Sequence, residues 1–297
     1  MHRYKKKKEI RGDFSIDDLP HNRVQVFTSL FRIRFLALLK ILGLTALFLL
    51  PFLALNAYGR IEIRVLLDTL TEENSRTVFA QIYGSLFLRS LLTLPVFYLA
   101  FIGFYGLIRT LRKLAWAEIA FLSDYFDNLK SSLLRLLFIS SLSWLSYTIF
   151  LFAFYSIRAL QLSPFLIGIN LTLSTLQFSF VSTFSFFFLF QNDVYHIRFG
   201  HLLRNSLQFS FKSLLPCLGL FLLLYATFIF AVSGDVYWEI LSNFLFLILL
   251  LPLSLILVLY ASYQCDKWIN RRLFPNLFDK GIWRKGTFKK EEKKNPQ

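Results

Sequence analysis

FLALLKILGLTALFLLPFLALNAY, Phe35 to Tyr58, is 24 residues long and holds one charged side chain, Lys40. A helix needs about 20 mostly apolar residues to cross the hydrocarbon core of a bilayer, so this stretch reads as a membrane span. Five more follow it at Leu86 to Ile108, Leu133 to Ile157, Pro164 to Phe190, Ser213 to Val232 and Glu239 to Ser262. The expected fold is an all-α membrane protein with about six transmembrane helices and amphipathic cytoplasmic connecting helices. Composition agrees. Of the 297 residues 56% are hydrophobic and 36 are Phe, more than a water-soluble core of this size would use.

The chain divides into a basic leader at 1–34, a six-helix membrane domain at 35–262 and a basic tail at 263–297. Leader and tail carry nine and ten Lys and Arg, the 109–132 connection four and the 191–212 connection three, so 26 fall on one side. The opposite side holds Arg60, Arg64, Arg76 and Arg158. Cytoplasmic loops are enriched in Lys and Arg, which puts both termini in the cytoplasm, as an even span count requires. The net charge of +15 is interspersed among apolar runs and not gathered on a soluble face. The partners it suggests are the lipid bilayer and its anionic headgroups, and not nucleic acid. The apolar run begins only after the charged leader, so the first span is expected to stay as an anchor.

Lys40, Arg89 and Arg135 lie inside the spans near their ends, where a long stem can carry the charge to the headgroups. Pro51, Pro95 and Pro252 sit well inside spans and are expected to kink them. The fourth span presents a candidate polar membrane face, Asn170, Ser174 and Gln177, with Thr172, Thr175, Ser179 and Ser182 beside it. Such residues hydrogen-bond between helices or line a cavity. On the far side only the 59–85 connection is long enough to fold, and its Glu72 and Glu73, being adjacent, do not face one another as an acid pair would.

Trp116, Ile119, Leu122, Phe126, Leu129 and Leu133 recur at steps of three and four, the spacing of an amphipathic helix. With Glu118, Asp124 and Lys130 around them, this connection is the candidate cytoplasmic interaction face: Trp116, Glu118, Asp124, Phe126 and Lys130. The second connection shows a polar stripe, Arg198, His201, Asn205, Gln208 and Lys212. A short echo links the two, Leu129-Lys130-Ser131-Ser132-Leu133 against Leu203-Arg204-Asn205-Ser206-Leu207. Nothing in the chain reads as a phosphate-binding glycine loop, a nucleophile elbow or a metalloprotease helix. His196 and His201 are five apart, off the spacing of a helical metal pair. Cys217 and Cys265 are expected as free thiols. The sequence therefore offers no catalytic, cofactor-binding or metal-binding residues, and no cofactor.

The leader Phe14-Ser15-Ile16-Asp17-Asp18-Leu19-Pro20-His21-Asn22-Arg23, running into Leu30-Phe31-Arg32-Ile33-Arg34-Phe35 and a first span with Leu50-Pro51, resembles the YesL-like family of bacterial integral membrane proteins. Arg109, Trp116-Ala117-Glu118, Ser123-Asp124-Tyr125-Phe126 and Lys130 are similar to that family's cytoplasmic loop. Cys265-Asp266-Lys267-Trp268-Ile269-Asn270, Phe274-Pro275 and Lys280-Gly281 are similar to its closing segment. Tyr125 in place of Phe, and Ser131-Ser132 after the lysine, depart from the pattern. The resemblance implies a multi-pass protein of the bacterial plasma membrane, without an established activity and found beside carbohydrate uptake systems. It points to a non-enzymatic accessory protein with a membrane protein partner; the alternative is a transporter subunit or small-solute carrier.

Overall fold

The computed structural model describes residues 19–71, 73–159, 163–228, 236–279 and 281–287. The basic runs Lys5 to Lys8 and Lys289 to Lys294, the leader motif Phe14 to Asp18, Glu72, the Val232 end of the fifth span, Lys280 and the Arg158 side chain lie outside the described residues.

Seven helices and no strand make up the described residues: α1 (Arg23–Ile33), α2 (Phe35–Asp68), α3 (Ser75–Ala115), α4 (Leu129–Ala159), α5 (Pro164–Val194), α6 (Phe199–Ala226) and α7 (Val236–Cys265). The six from α2 onward are long and apolar enough to cross a membrane. The chain is an all-α, multi-pass membrane protein. From α2 onward consecutive helices run antiparallel and pack together, and α7 closes the bundle against α2, α3, α5 and α6.

Inner and outer helices alternate along the chain. About half of the most apolar window is buried in α3, α5 and α7, at 50%, 56% and 56%, against 28%, 28% and 33% in α2, α4 and α6. The inner three therefore run parallel, and their C-termini meet at one end, the end that also holds the leader and the tail. Negative helix-dipole ends gathered together favour cations, and Arg112 and Lys113 occupy the last turn of α3.

At the opposite end, α2 and α3 extend well beyond the expected spans. The 41 residues of α3 measure about 60 Å at 1.5 Å per residue, twice the hydrocarbon thickness. The 59–85 segment, expected as a foldable connection, is mostly helix, and among its described residues only 69–71, 73 and 74 lie outside the helices. Ile63, Val78, Ile82 and Leu86 form a separate apolar cluster between the two extensions. Asn74 closes the turn, accepting from the Thr71 amide at 2.7 Å and donating to the Thr69 carbonyl at 2.8 Å.

The prolines do not end their helices. α2 runs through Pro51, α3 through Pro95, α6 through Pro216 and α7 through Pro252. In the leader, α1 was not anticipated. Asn22 caps it, accepting from the Gln25 amide at 2.8 Å, while the Gln25 side chain accepts from the Asn22 amide at 3.2 Å. That is a reciprocal capping box, and it turns Val26 and Leu30 into the bundle.

Candidate functional site

Where the C-termini of α3 and α5 meet, a buried ionic hub forms around Asp193, in the last turn of α5. Its side chain is 1% exposed. Arg112 donates from Nε to Asp193 Oδ2 at 2.5 Å, and Arg109 pairs from Nε with Asp193 Oδ1 at 3.4 Å. Arg109 also donates from Nη2 to Asp127 Oδ2 at 2.8 Å and from Nη1 to the Asp127 carbonyl. An acid at a helix C-terminus opposes the dipole; two arginines offset it here.

Asn192 and Gln191, beside Asp193, bond to the starts of α4 and α6. Asn192 donates to Ser132 Oγ at 3.0 Å and accepts from Arg135 Nη1 at 2.7 Å, and Gln191 donates to Ser206 Oγ at 3.2 Å. Ser132 and Ser206 hold matching positions in the short echo of the two connections. One helix end is thus gripped from both sides by the same kind of residue.

The 116–128 segment is not the single amphipathic helix its spacing suggests. Ala117 (φ 59°) and Asn128 (φ 52°) are left-handed, a conformation no right-handed helix carries. Between them lies one 3₁₀ turn, Leu122–Tyr125, before α4 begins at Leu129. Tyr125 enters the bundle, because Gly106 on α3 leaves room for its ring; a Cβ at Gly106 would overlap it. Its hydroxyl donates to the Gly103 carbonyl at 2.7 Å and lies 3.0 Å from Thr45 Oγ1. Burial raises the phenol above its ordinary pKa of 10.0, with the Thr45 bond opposing. The second connection, by contrast, is helical as its spacing implies. Its polar stripe belongs to the opening turns of α6, where Asn205 is buried and Lys212 stacks over Trp268.

Leader and tail fasten onto the same end. Arg23 reaches the carbonyls of Ala115 (3.4 Å), Ile282 (3.3 Å) and Trp283 and lies over the Trp283 ring. Burial lowers its pKa from 12.5 to about 10. Arg34 donates to the Glu118 carbonyl at 3.1 Å. Gly286, at φ 80°, packs its backbone against the Ala115 carbonyl where a Cβ would collide.

Of the sequence-derived interaction face, Trp116 is turned inward. It is buried, stacks under Arg112 and Lys285, and points its indole nitrogen at Ser262 Oγ, 3.4 Å away. Glu118 lies 3.8 Å from Arg112. Asp124 pairs with Lys113 at 2.9 Å and accepts from the Phe121 amide at 2.8 Å. These two contacts, the lysine foremost, hold its carboxyl below its ordinary 3.8. Phe126 and Lys130 stay exposed, and Ile119, Phe121 and Leu122 join Phe126 in a ridge of exposed apolar side chains.

Asp193, Arg112 and Asn192 were not singled out from the sequence, and Tyr125 was noted only as a departure from the family pattern. Asp193 was visible as an acid directly abutting a Phe-rich span, a place where a carboxylate needs a partner. Its partners, 81 and 84 positions away, leave no local pattern.

On the polar membrane face, Gln177 donates to Ser146 Oγ at 2.8 Å and Asn170 to the Ala153 carbonyl at 3.3 Å, both across to α4. Ser174 bonds the Asn170 carbonyl of its own helix at 2.7 Å. The three side chains thus share a face but make separate bonds. Of the intramembrane cations, Lys40 is exposed and Arg135 is held by Asn192 and the Ile197 carbonyl (3.3 Å). Arg89 does not reach the surface as expected. It is 5% exposed, folded over Gly59 of α2, because the α2 and α3 extensions continue past it and enclose it. Cys217 and Cys265 are free and buried. Among the described residues no three His, Cys, Asp or Glu gather as a metal site.

Comparison of the chain with protein-family models, curated proteins and solved structures yields no match.

Proposed function

We propose that this chain is a non-enzymatic accessory protein of the bacterial plasma membrane that docks a partner membrane protein at the cytoplasmic face, through the Ile119, Phe121, Leu122 and Phe126 ridge. The observation that carries this reading is the contrast between the ridge and its base. The side chains of Arg109, Arg112, Trp116, Tyr125 and Asp193 are buried at its base: both arginines pair with Asp193, Arg112 stacks on Trp116, and Tyr125 bonds the Gly103 carbonyl of α3. The four apolar side chains above it are exposed. A rigid base that holds aliphatic and aromatic groups outward is the arrangement of a binding anchor.

The excess of Lys and Arg on the side of the termini supports a cytoplasmic orientation. Lys130 beside the ridge and the basic leader and tail suit anionic headgroups. The polar face of α5 favours this reading over a solute carrier, since Asn170 and Gln177 spend their amide donors on α4. Kinship with the YesL-like proteins, and through them a role beside carbohydrate uptake, rests on the leader, loop and tail residues quoted above.

A photocrosslinking residue at Phe126 tests the reading in native membranes. It is expected to yield one discrete protein adduct, which the same group at lipid-exposed Leu91 does not give. Equal lipid-only labelling at both positions contradicts partner docking.

A further inference from the structure

The far end of the bundle holds a buried cation with no ion-pair partner among the described residues. Arg89 is 95% buried, and its Nε and Nη1 atoms are sealed from solvent without a hydrogen-bond partner. Its neighbours are committed elsewhere. Arg60 makes three hydrogen bonds to Glu239, at 2.6 to 3.1 Å. Tyr147, close enough to feel both the Arg60 and the Arg89 charge, donates its hydroxyl to Asn56 Oδ1, and Asn56 donates to the Phe52 carbonyl at 2.8 Å. A second carboxylate, Glu62, lies one turn beyond Gly59 and accepts from Ser85 Oγ at 2.8 Å, so among the described residues no carboxylate bonds the Arg89 guanidinium. One turn beyond Glu239, Ser242 Oγ and Asn243 Oδ1 are also buried and unbonded.

A guanidinium cannot discharge itself by losing its proton, and an uncompensated buried ion is costly. Such a group is kept where an anion completes it. The depth narrows the anion. Arg89 lies 20 positions before Arg109 on one continuous helix, about 30 Å at 1.5 Å per residue, and this is the thickness of the hydrocarbon core. With the hub at one headgroup plane, Arg89 stands at the other. Phe87, Leu88, Leu91 and Leu92 around it are exposed, as lipid-facing residues are. Gly59 lets the guanidinium lie against the α2 backbone, and a Cβ there would occupy its position.

We propose that Arg89 is the binding residue for a phosphate oxyanion at the headgroup level opposite the hub, seated where α2 gives way at Gly59. Nη2 is the guanidinium nitrogen that the chain leaves unsealed, and a phosphate oxygen can accept a charge-assisted hydrogen bond there. A phospholipid headgroup and free phosphate share this chemistry.

The full chain is delipidated in an uncharged detergent, and its melting midpoint is read with inorganic phosphate, with short-chain phosphatidylglycerol and with a matching phosphate-free diacylglycerol. The wild type is expected to gain about 3–5 °C from a phosphate-bearing ligand near saturation and nothing from the diacylglycerol. Stabilisation by phosphatidylglycerol alone assigns the headgroup; stabilisation by both assigns free phosphate. Arg89→Met is expected to lose the response and to melt above the wild type in ligand-free detergent, because it removes an unpaired buried charge. Gly59→Ala keeps every charge, displaces the guanidinium and is expected to lose the response as well, so the test stands even where Arg89→Met does not fold. A wild type indifferent to both phosphate ligands, an Arg89→Met variant that still responds, or one that melts below the ligand-free wild type overturns the proposal.

Discussion

Arg112 and Arg89 lie on the same helix, six turns apart and both buried, yet they meet opposite surroundings. At the hub, three parallel helix C-termini converge with Asp193 among them, and every carboxylate nearby is matched to a cation. At the far end, Glu239 is fully engaged by Arg60 and Arg89 is left over. A buried arginine is therefore not one kind of feature. Where its charge is balanced inside the chain it fixes geometry; where it is not, it waits for an anion from outside.

The largest expected effect breaks the balanced end. Asp193→Ala takes the shared buried carboxylate from two arginines at once, leaving Arg109 to Asp127 and Arg112 to Glu118, and removing one partner of a buried pair costs about 3–5 kcal/mol. Chemical denaturation of the purified protein should show that loss, with Arg89→Met moving in the opposite direction. Two destabilisations of equal size would erase the distinction between the ends.

Next comes Gly106→Ala, which places a methyl group in the ring of Tyr125. Overpacking of this kind costs about 1–3 kcal/mol. Because Tyr125 holds the base of the ridge, the damage should concentrate there, as faster hydrogen exchange at 116–128 with the far end unchanged. Uniform loss of protection would mean that the ridge is not separately supported.

Replacing both Asn170 and Gln177 with Leu removes two interhelical bonds worth about 0.6 kcal/mol each. Stability in detergent should fall by about 1 kcal/mol, with function retained. Phe126→Asp reverses the pattern. An exposed side chain carries little stability, within about 0.5 kcal/mol, but a carboxylate in the middle of the apolar ridge should abolish partner capture. At matched protein levels in a strain that needs the gene, Phe126→Asp should be the more harmful; the reverse order would favour a solute path along α5.

The smallest effect is acidic. The Lys113 ammonium and the Phe121 amide hold the Asp124 carboxyl below its ordinary 3.8. A depressed carboxylate contributes stability that is complete above its unfolded pKa and lost as pH falls through its lower folded value. Limited proteolysis within 116–128 should therefore accelerate only below about pH 4. Asp124→Asn should remove that acid-dependent step and be nicked at the faster rate throughout.

The membrane architecture was legible in the sequence, because twenty apolar residues in a row have few other uses. The hub was legible only in fragments. Trp116, Glu118, Asp124, Phe126 and Lys130 pointed to the right segment, but spacing of three and four implied a helix that left-handed Ala117 and Asn128 forbid. Nothing local foretold that Tyr125 and not Phe126 is buried, since that choice is made by Gly106, 19 positions earlier. The far end misled for a related reason. Span length alone could not reveal that α2 and α3 continue beyond the expected spans, held by Ile63, Val78 and Ile82, and so could not show that Arg89 is enclosed.

The proposed cytoplasmic placement of the hub rests on charge asymmetry, and the docking account depends on it. Single reporters Glu73→Cys, at the far turn, and His201→Cys, in the exposed opening of α6, can be made in a background lacking Cys217 and Cys265 and exposed to an impermeant thiol reagent. In intact cells Glu73→Cys should react at once and His201→Cys only after permeabilisation. Immediate labelling of His201→Cys with protection of Glu73→Cys would turn the molecule over and contradict a cytoplasmic docking ridge.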